Sequence, residues 1–361
     1  MKHLLIATTI TLNLLFSLTI NANAFQDAQK ACDEGDAQKC FALAVAYDFG
    51  TGNKRDAAKA SEFYQKACHE GHATACYNLA SIYADDIKVQ PSTVLGLYQS
   101  SCLGEHMAGC NNFALMLAKG NIAKKNVTKA ATLHRKTCDN EFYEGCFHLG
   151  NMYATGSGVE KNASQAMAYY KKACDGGYAG GCYNAGVNYS KGEGVKESNF
   201  YAAKLFQKAC DGGLTKGCYN LSFNYAQGQG VEKSIAIATN FYQKSCTTGY
   251  VKACINLGNM YFYGEGKRRN TFKALKLYQK ACYGEVAEGC YNLGVNYANG
   301  AGVIQSNTQA MDYFKKSCEM QYENGCNAHA LLEKGGSLKT PWNLAKTERL
   351  YEIISAMPYK Q

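Results

Sequence analysis

Proline is almost missing, with 3 in 361 residues. Proline removes a backbone donor and breaks helices, so its scarcity leaves long stretches open to helix and argues against a β-rich or linker-rich chain. Tryptophan occurs once, leaving the aromatic content to 27 tyrosines and 15 phenylalanines. Lysine and arginine (38) outnumber aspartate and glutamate (29), net +9, yet no run of five or six like charges occurs. That diffuse surplus reads as a solvated convex face; it excludes the concentrated patch of a nucleic-acid binder or a polybasic membrane anchor. Charged residues make up only 19% against 47% hydrophobic ones, a balance that excludes a disordered chain. Beyond the N-terminal stretch no segment is long and apolar enough to span a bilayer.

What is present starts with a targeting signal. Residues 1–24 place Lys2 and His3 before an apolar stretch from Leu4 to Ile20, followed by Ala22-Asn23-Ala24. This layout predicts a secretory signal peptide cleaved after Ala24, and a mature chain that is secreted or periplasmic. Thr8, Thr9, Thr11, Asn13, Ser17 and Thr19 dilute the stretch too far for a retained membrane anchor.

Cysteine is abundant: 18 residues, all in C-x7-C pairs, each pair 36 residues after the last except for a step of 34 between Cys68 and Cys102. A period of 34 to 36 is that of a helix-turn-helix solenoid. Zinc sites use closer C-x2–4-C spacings, and an even count in an exported chain favours disulfides, so no metal and no cofactor are expected. The pairing that preserves the repeat is Cys32–Cys40, Cys68–Cys76, Cys102–Cys110, Cys138–Cys146, Cys174–Cys182, Cys210–Cys218, Cys246–Cys254, Cys282–Cys290 and Cys318–Cys326. Each bridge closes a loop of nine residues, which the chain-entropy account values at roughly 2.5 kcal/mol.

Counted from the second cysteine of a pair, apolar or small residues recur at +3, +4 and +7, as in Cys290-Tyr-Asn-Leu-Gly-x-x-Tyr297. That is one face of a helix, here called helix A. The +4 residue is always small (Ala44, Gly150, Ser222 and Gly294 among others), which predicts close approach of a neighbouring helix. A Gly-x-Gly such as Gly228/Gly230 then marks the helix end and the turn. A second helix, B, follows and ends at the first cysteine of the next pair, as in Ala202-Ala203-Lys-Leu205-Phe206-Gln-Lys-Ala209-Cys210. The tyrosines at +7 and +1 (Tyr77, Tyr183, Tyr219, Tyr291) read as packing residues. Residues 25–340 are therefore expected to form about eight to nine helix pairs, and residues 341–361 a C-terminal capping helix and tail.

These residues resemble the Sel-one-like repeats, relatives of the tetratricopeptide repeat with units A-x-x-x-L-G-x-x-Y-x-x-G-x-G-V. Gly145-Cys-Phe-His-Leu-Gly-Asn-Met-Tyr-Ala-Thr-Gly-Ser-Gly-Val159 is a near match. With a C-x7-C in every unit and a secretion signal, the chain is similar to the Helicobacter cysteine-rich protein family, also described as secreted β-lactamases. The resemblance implies an all-α, right-handed α/α superhelix. It also implies binding of penicillin or peptidoglycan-like small molecules and weak β-lactam hydrolysis.

No catalytic motif supports that chemistry. S-x-x-K, S-D-N and K-T-G are absent, and the seven histidines are scattered. His69 and His72 fall in an interhelical loop and read as solvated; His134 stands where other units carry Tyr or Phe and reads as a packing variant. With every cysteine paired, no thiol nucleophile remains.

A binding face is easier to derive. At 100° per residue the positions +2, +6 and +9 lie opposite the apolar stripe. They hold Asn78, then Asn184, Asn188 and Lys191, then Asn220, Asn224 and Gln227, then Asn256, then Asn292, Asn296 and Asn299. A carboxamide both donates and accepts, so a ladder of them suits the main chain of an extended peptide whatever its sequence. Asparagine is a poor helix former, so its recurrence there points to use. In the related tetratricopeptide domains helix A asparagines clamp a peptide backbone, and these positions look like theirs. The expected function is a monomeric binder of an extended peptide or protein, host-derived partners included, through an asparagine-lined concave groove.

Overall fold

The computed structural model describes residues 22–51, 54–120 and 125–336, and among them it holds eighteen α-helices and no strand. Two compact units divide the chain, residues 1–177 and 178–361. The first contains α1 (Ala22–Asp33), α2 (Ala37–Phe49), α3 (Ala57–His69), α4 (Ala73–Ala84), α5 (Pro91–Leu103), α6 (Met107–Lys119), α7 (Val127–Asp139), α8 (Tyr143–Thr155) and α9 (Ala163–Asp175). The second contains α10 (Ala179–Lys191), α11 (Asn199–Asp211), α12 (Thr215–Gln227), α13 (Ile235–Thr247), α14 (Val251–Tyr263), α15 (Thr271–Tyr283), α16 (Ala287–Asn299), α17 (Asn307–Glu319) and α18 (Glu323–Glu333). Even-numbered helices are the A helices of the repeat and odd-numbered ones the B helices. Within each unit every helix packs on the one before and the one after it. The expected signal segment lies outside the described residues up to residue 21, and the expected cleavage point after Ala24 falls in the first turn of α1. Residues 341–361, with the expected capping helix, also lie outside the described residues. None of the described helices is long and apolar enough to cross a membrane.

Local sequence explains the helix ends. Side-chain oxygens of Asn162, Ser198 and Asn270 accept a first-turn N–H of α9, α11 and α15, satisfying a donor that the helix itself cannot. All but two of the A helices stop where a glycine enters the left-handed region, as at Gly156 (φ 76°) and Gly228 (φ 72°); α4 and α18 end at Asp85 and Lys334 instead. Gly120 ends α6 in the same way, although no Gly-x-Gly announces it.

Small residues set how closely the helices meet. A Cβ on Gly258 would lie 2.6 Å from the Tyr278 ring, and one on Gly294 2.6 Å from the Phe314 ring, so the +4 position is the seat of the aromatic residue of the following B helix. A second close approach makes the disulfides reachable. Gly217 and Gly289, each just before a second cysteine, sit so near Ala209 and Ala281 that an added Cβ would lie 2.7 and 2.6 Å from theirs. The bridged Cα atoms are 4.3 to 4.9 Å apart in Cys32–Cys40, Cys68–Cys76, Cys102–Cys110 and Cys138–Cys146 of the first unit, and in Cys210–Cys218, Cys246–Cys254, Cys282–Cys290 and Cys318–Cys326 of the second. Cys174 and Cys182 are disulfide-bonded as well, and no described cysteine is free.

The buried face of helix A is wider than its apolar stripe suggests. Residues +3 and +4 are buried as expected, but so is +6, occupied by Met152, Asn188, Asn224, Met260 and Asn296. For Met152, Asn224, Met260 and Asn296 the reason is that the A helix has a neighbour on each side. The +7 tyrosines are only half-buried: Tyr153, Tyr225 and Tyr297 stack on Tyr169, Phe241 and Tyr313 at 5.5, 5.9 and 5.4 Å between ring centroids.

Candidate functional site

The A helices of the second unit begin in an unusual way. The N-cap position, which favours serine, threonine, aspartate or asparagine, holds Leu214, Tyr250, Val286 and Tyr322, and none of them gives a side-chain cap. Omitting a cap costs about 1 kcal/mol. What the residue does instead is pack on the +1 residue of the previous A helix. Tyr250 lies 5.0 Å from Tyr219 and Tyr322 5.5 Å from Tyr291, ring centre to ring centre. The same register in the first unit puts His72 on Phe41 at 4.2 Å and His106 on Tyr77 at 4.7 Å.

His72 and His106 do more, because the Nδ1 of each accepts a first-turn backbone N–H, from Ala75 and Gly109, at 3.2 Å. The expectation of a solvated loop is therefore corrected for His72: it caps α4, and burial pushes its pKa down. His69 is the last residue of α3, exposed and 3.1 Å from Glu70.

The asparagines divide into two groups. At +2, beside the tyrosines, Asn184 and Asn292 are half-buried, and Asn220 and Asn256 are 8% and 7% exposed. Asn256 donates from Nδ2 to the Tyr219 hydroxyl at 3.4 Å, while Nδ2 of Asn220 is buried with no hydrogen-bond partner. At +6, Asn188, Asn224 and Asn296 are buried rather than outward-facing. Asn224 donates to the Gln229 carbonyl at 2.9 Å, across the glycine turn, and Asn296 to the Asn292 carbonyl at 2.6 Å. These carboxamides tie up local backbone, which is why the outward placement expected from a single helical wheel does not hold for them. Asn299 donates to the Val295 carbonyl at 2.8 Å; Gln227 and Asn299 are half-buried, and Lys191 is exposed, 3.7 Å from Glu193. Asn78, in the first unit, is half-buried and hydrogen-bonds Tyr64.

Two further groups, Tyr242 and Glu288, went unnoticed in the sequence, and His134 takes the packing position expected of it. Tyr242, on α13, is fully buried, its ring edge-on to Tyr219 at 5.7 Å. Burial raises the pKa of Tyr219 to about 12 and that of Tyr242 further. Glu288, in the first turn of α16, is half-buried and makes no hydrogen bond or ion pair with a described residue. Desolvation pushes its pKa up to about 7 against the pull of Lys252. In the first unit His134 fills the seat of the repeat's aromatic ring. It is 1% exposed, its ring 5.0 Å from that of His148, whose Nε2 lies 3.5 Å from Glu144. Only the cap-position tyrosines carried a signal, an aromatic residue where a polar cap belongs.

Among the described residues no group of three or more His, Cys, Asp and Glu is placed to hold a metal ion. A cleft of about 670 Å³ opens between the start of α15 and the turn after α16, lined by Arg269, Asn270, Thr271, Phe272, Gly300, Ala301 and Gly302, and includes none of the helix A asparagines.

Comparison with known proteins settles the family. The Sel1 repeat matches eight segments, residues 40–72, 73–98, 108–142, 144–178, 179–214, 215–250, 251–285 and 287–322. The chain belongs to the Sel1 repeat family. From the second segment on, each repeat starts between the two cysteines of a C-x7-C pair, and the fold is the Sel1 repeat solenoid. Among solved structures it is similar to a protective antigen present in uropathogenic Escherichia coli strains, displaying an SLR fold (TM-score 0.74, 24% identity, covering 87% of this chain and 68% of that one). It is also similar to a Sel1 repeat protein from Oxalobacter formigenes (TM-score 0.69, 20% identity, 89% and 93% covered). The cysteine rich protein B of Helicobacter pylori is 30% identical over 37% of this chain and 97% of its own length, with a TM-score of 0.31. No curated protein sequence matches the chain.

Proposed function

We propose that this Sel1 repeat protein works outside the cytoplasm, as a binder of an extended peptide or of an extended segment of a partner protein. The binding strip runs along the second unit through Asn184, Asn220, Asn256 and Asn292 and the tyrosines beside them. One observation carries the reading: the Asn220 Nδ2 donor is buried without a partner, beside carboxamides that recur every 36 residues. A buried amide donor left unpaired costs about 1–3 kcal/mol, and a peptide carbonyl would remove that cost. The exported location is supported by the disulfides, which persist in oxidising compartments, and by the N-terminal signal pattern.

The test is Asn220→Ala combined with Asn256→Ala, with binding of an extended-peptide library read by fluorescence polarisation. Affinity should fall roughly tenfold or more while the far-ultraviolet circular dichroism stays that of the parent. Unchanged affinity in a folded variant would overturn the assignment of the strip. Asn224→Ala is the control: it loosens the turn through the lost bond to Gln229 and lowers stability in preference to affinity.

A further inference from the structure

We infer that Glu288 and the tyrosines around it form the receptor for a positively charged side chain, arginine in the first place, on the peptide that the strip binds. The inference rests on the peptide-binding reading above and adds the chemistry of the ligand.

Position and surroundings make the case. Glu144 and Glu288 occupy the same place in their repeats, two residues before the second cysteine. Glu144 has His148 one turn on, at 3.5 Å. Glu288 has Asn292 there and is bonded to nothing described. Several neighbouring elements bring a tyrosine toward it: its charge opposes ionisation of Tyr219 on α12, Tyr278 on α15 and Tyr322 at the cap of α18, and Tyr291 lies three residues on along α16. Among the described residues the cation that acts on it is Lys252 of α14, an exposed side chain that makes no ion pair with it. Glu288 shares a helix face with Tyr291, three residues on, whose ring pairs with that of Tyr322 at 5.5 Å, and a carboxylate without a counter-ion next to an aromatic pair suits a guanidinium. Arginine can stack its plane on an aromatic face and offer a fork of donors to the carboxylate; lysine offers a point charge, and neutral citrulline has the shape without the charge. Desolvation raises the pKa of this acid, as expected of a carboxyl with no ion-pair partner among the described residues.

The experiment compares short alanine-based peptides that differ only in a central arginine, lysine or citrulline, titrated against the whole protein and against Glu288→Gln. Above about pH 7, where Glu288 is ionised, the parent should prefer arginine over citrulline by roughly tenfold or more, with lysine between. The preference should shrink as the pH falls below about 7 and vanish in Glu288→Gln at every pH. Peptides that bind the parent equally well with arginine and citrulline, or an arginine preference that survives in Glu288→Gln, would overturn the inference and leave the binding strip standing. If none of the three peptides binds, and the alanine backbone itself is not retained, both readings fall together.

Discussion

His134 offers a quantitative test of how the repeat tolerates a departure from its own pattern. Its place in the repeat holds Tyr64, Tyr98, Tyr170, Phe206, Tyr242, Tyr278 and Phe314 elsewhere. Buried there and repelled by His148, the imidazole has its pKa pushed down to about 3 from the ordinary 6.5. A histidine with a depressed pKa binds its proton in the unfolded chain before it does so in the folded one. The sign is therefore fixed: its contribution to stability is fully present above pH 6.5 and is lost progressively as the pH falls toward 3. At about 1.4 kcal/mol per pH unit, about 2 kcal/mol of the stability present at neutral pH is gone by pH 5. The perturbation is His134→Phe, which installs the residue that Phe206 and Phe314 already are in the same seat. Urea melts followed by circular dichroism, for parent and variant at neutral pH and at pH 5, give the difference of differences and cancel every other titrating group. The parent should lose about 2 kcal/mol more than the variant. Equal losses would mean that His134 protonates inside the folded chain and that its burial is not what the structure shows.

Other expectations follow from the same contacts. Replacing Cys210 and Cys218 together with alanine should lower stability by about 2.5 kcal/mol, as removal of a bridge across nine residues demands, and reduction of all bridges should abolish helicity; retained circular dichroism in excess reductant would contradict the stapling role. Gly258→Ala drives a methyl to 2.6 Å from the Tyr278 ring and should cost about 1–3 kcal/mol in a thermal or urea melt, whereas a neutral outcome would show that the helices separate freely. Glu288→Gln should stabilise the protein by about 1–3 kcal/mol above pH 7, since a carboxyl whose pKa is raised from 4.5 to about 7 contributes stability that is lost as pH rises through that window; the gain should vanish below pH 4.5. Intact mass before and after incubation with a penicillin tests the hydrolase expectation that the family resemblance implies: a stoichiometric adduct would support it, and an unchanged mass would argue against a covalent acyl-enzyme.

Much of this molecule is dictated locally, and the sequence alone suffices for that part. The C-x7-C pairs fix the period and the bridges, because both cysteines lie at the ends of two helices joined by a short turn, and little else can happen over so few residues. The small +4 residues and the left-handed glycines are equally local requirements, and they announce the helices, their ends and the tight approach of Gly258 to Tyr278. Tertiary structure decided what depends on neighbours a repeat away. A helical wheel sees one partner, but the A helices α12 and α16 each have two, so Asn224 and Asn296 lie buried where a single stripe would have faced them outward. The pairing of His134 with His148 and the isolation of Glu288 among tyrosines from four helices are likewise invisible along the chain. Desolvation and the lack of a partner are properties of the packed surroundings and not of the residue, and only the packed chain supplies those surroundings.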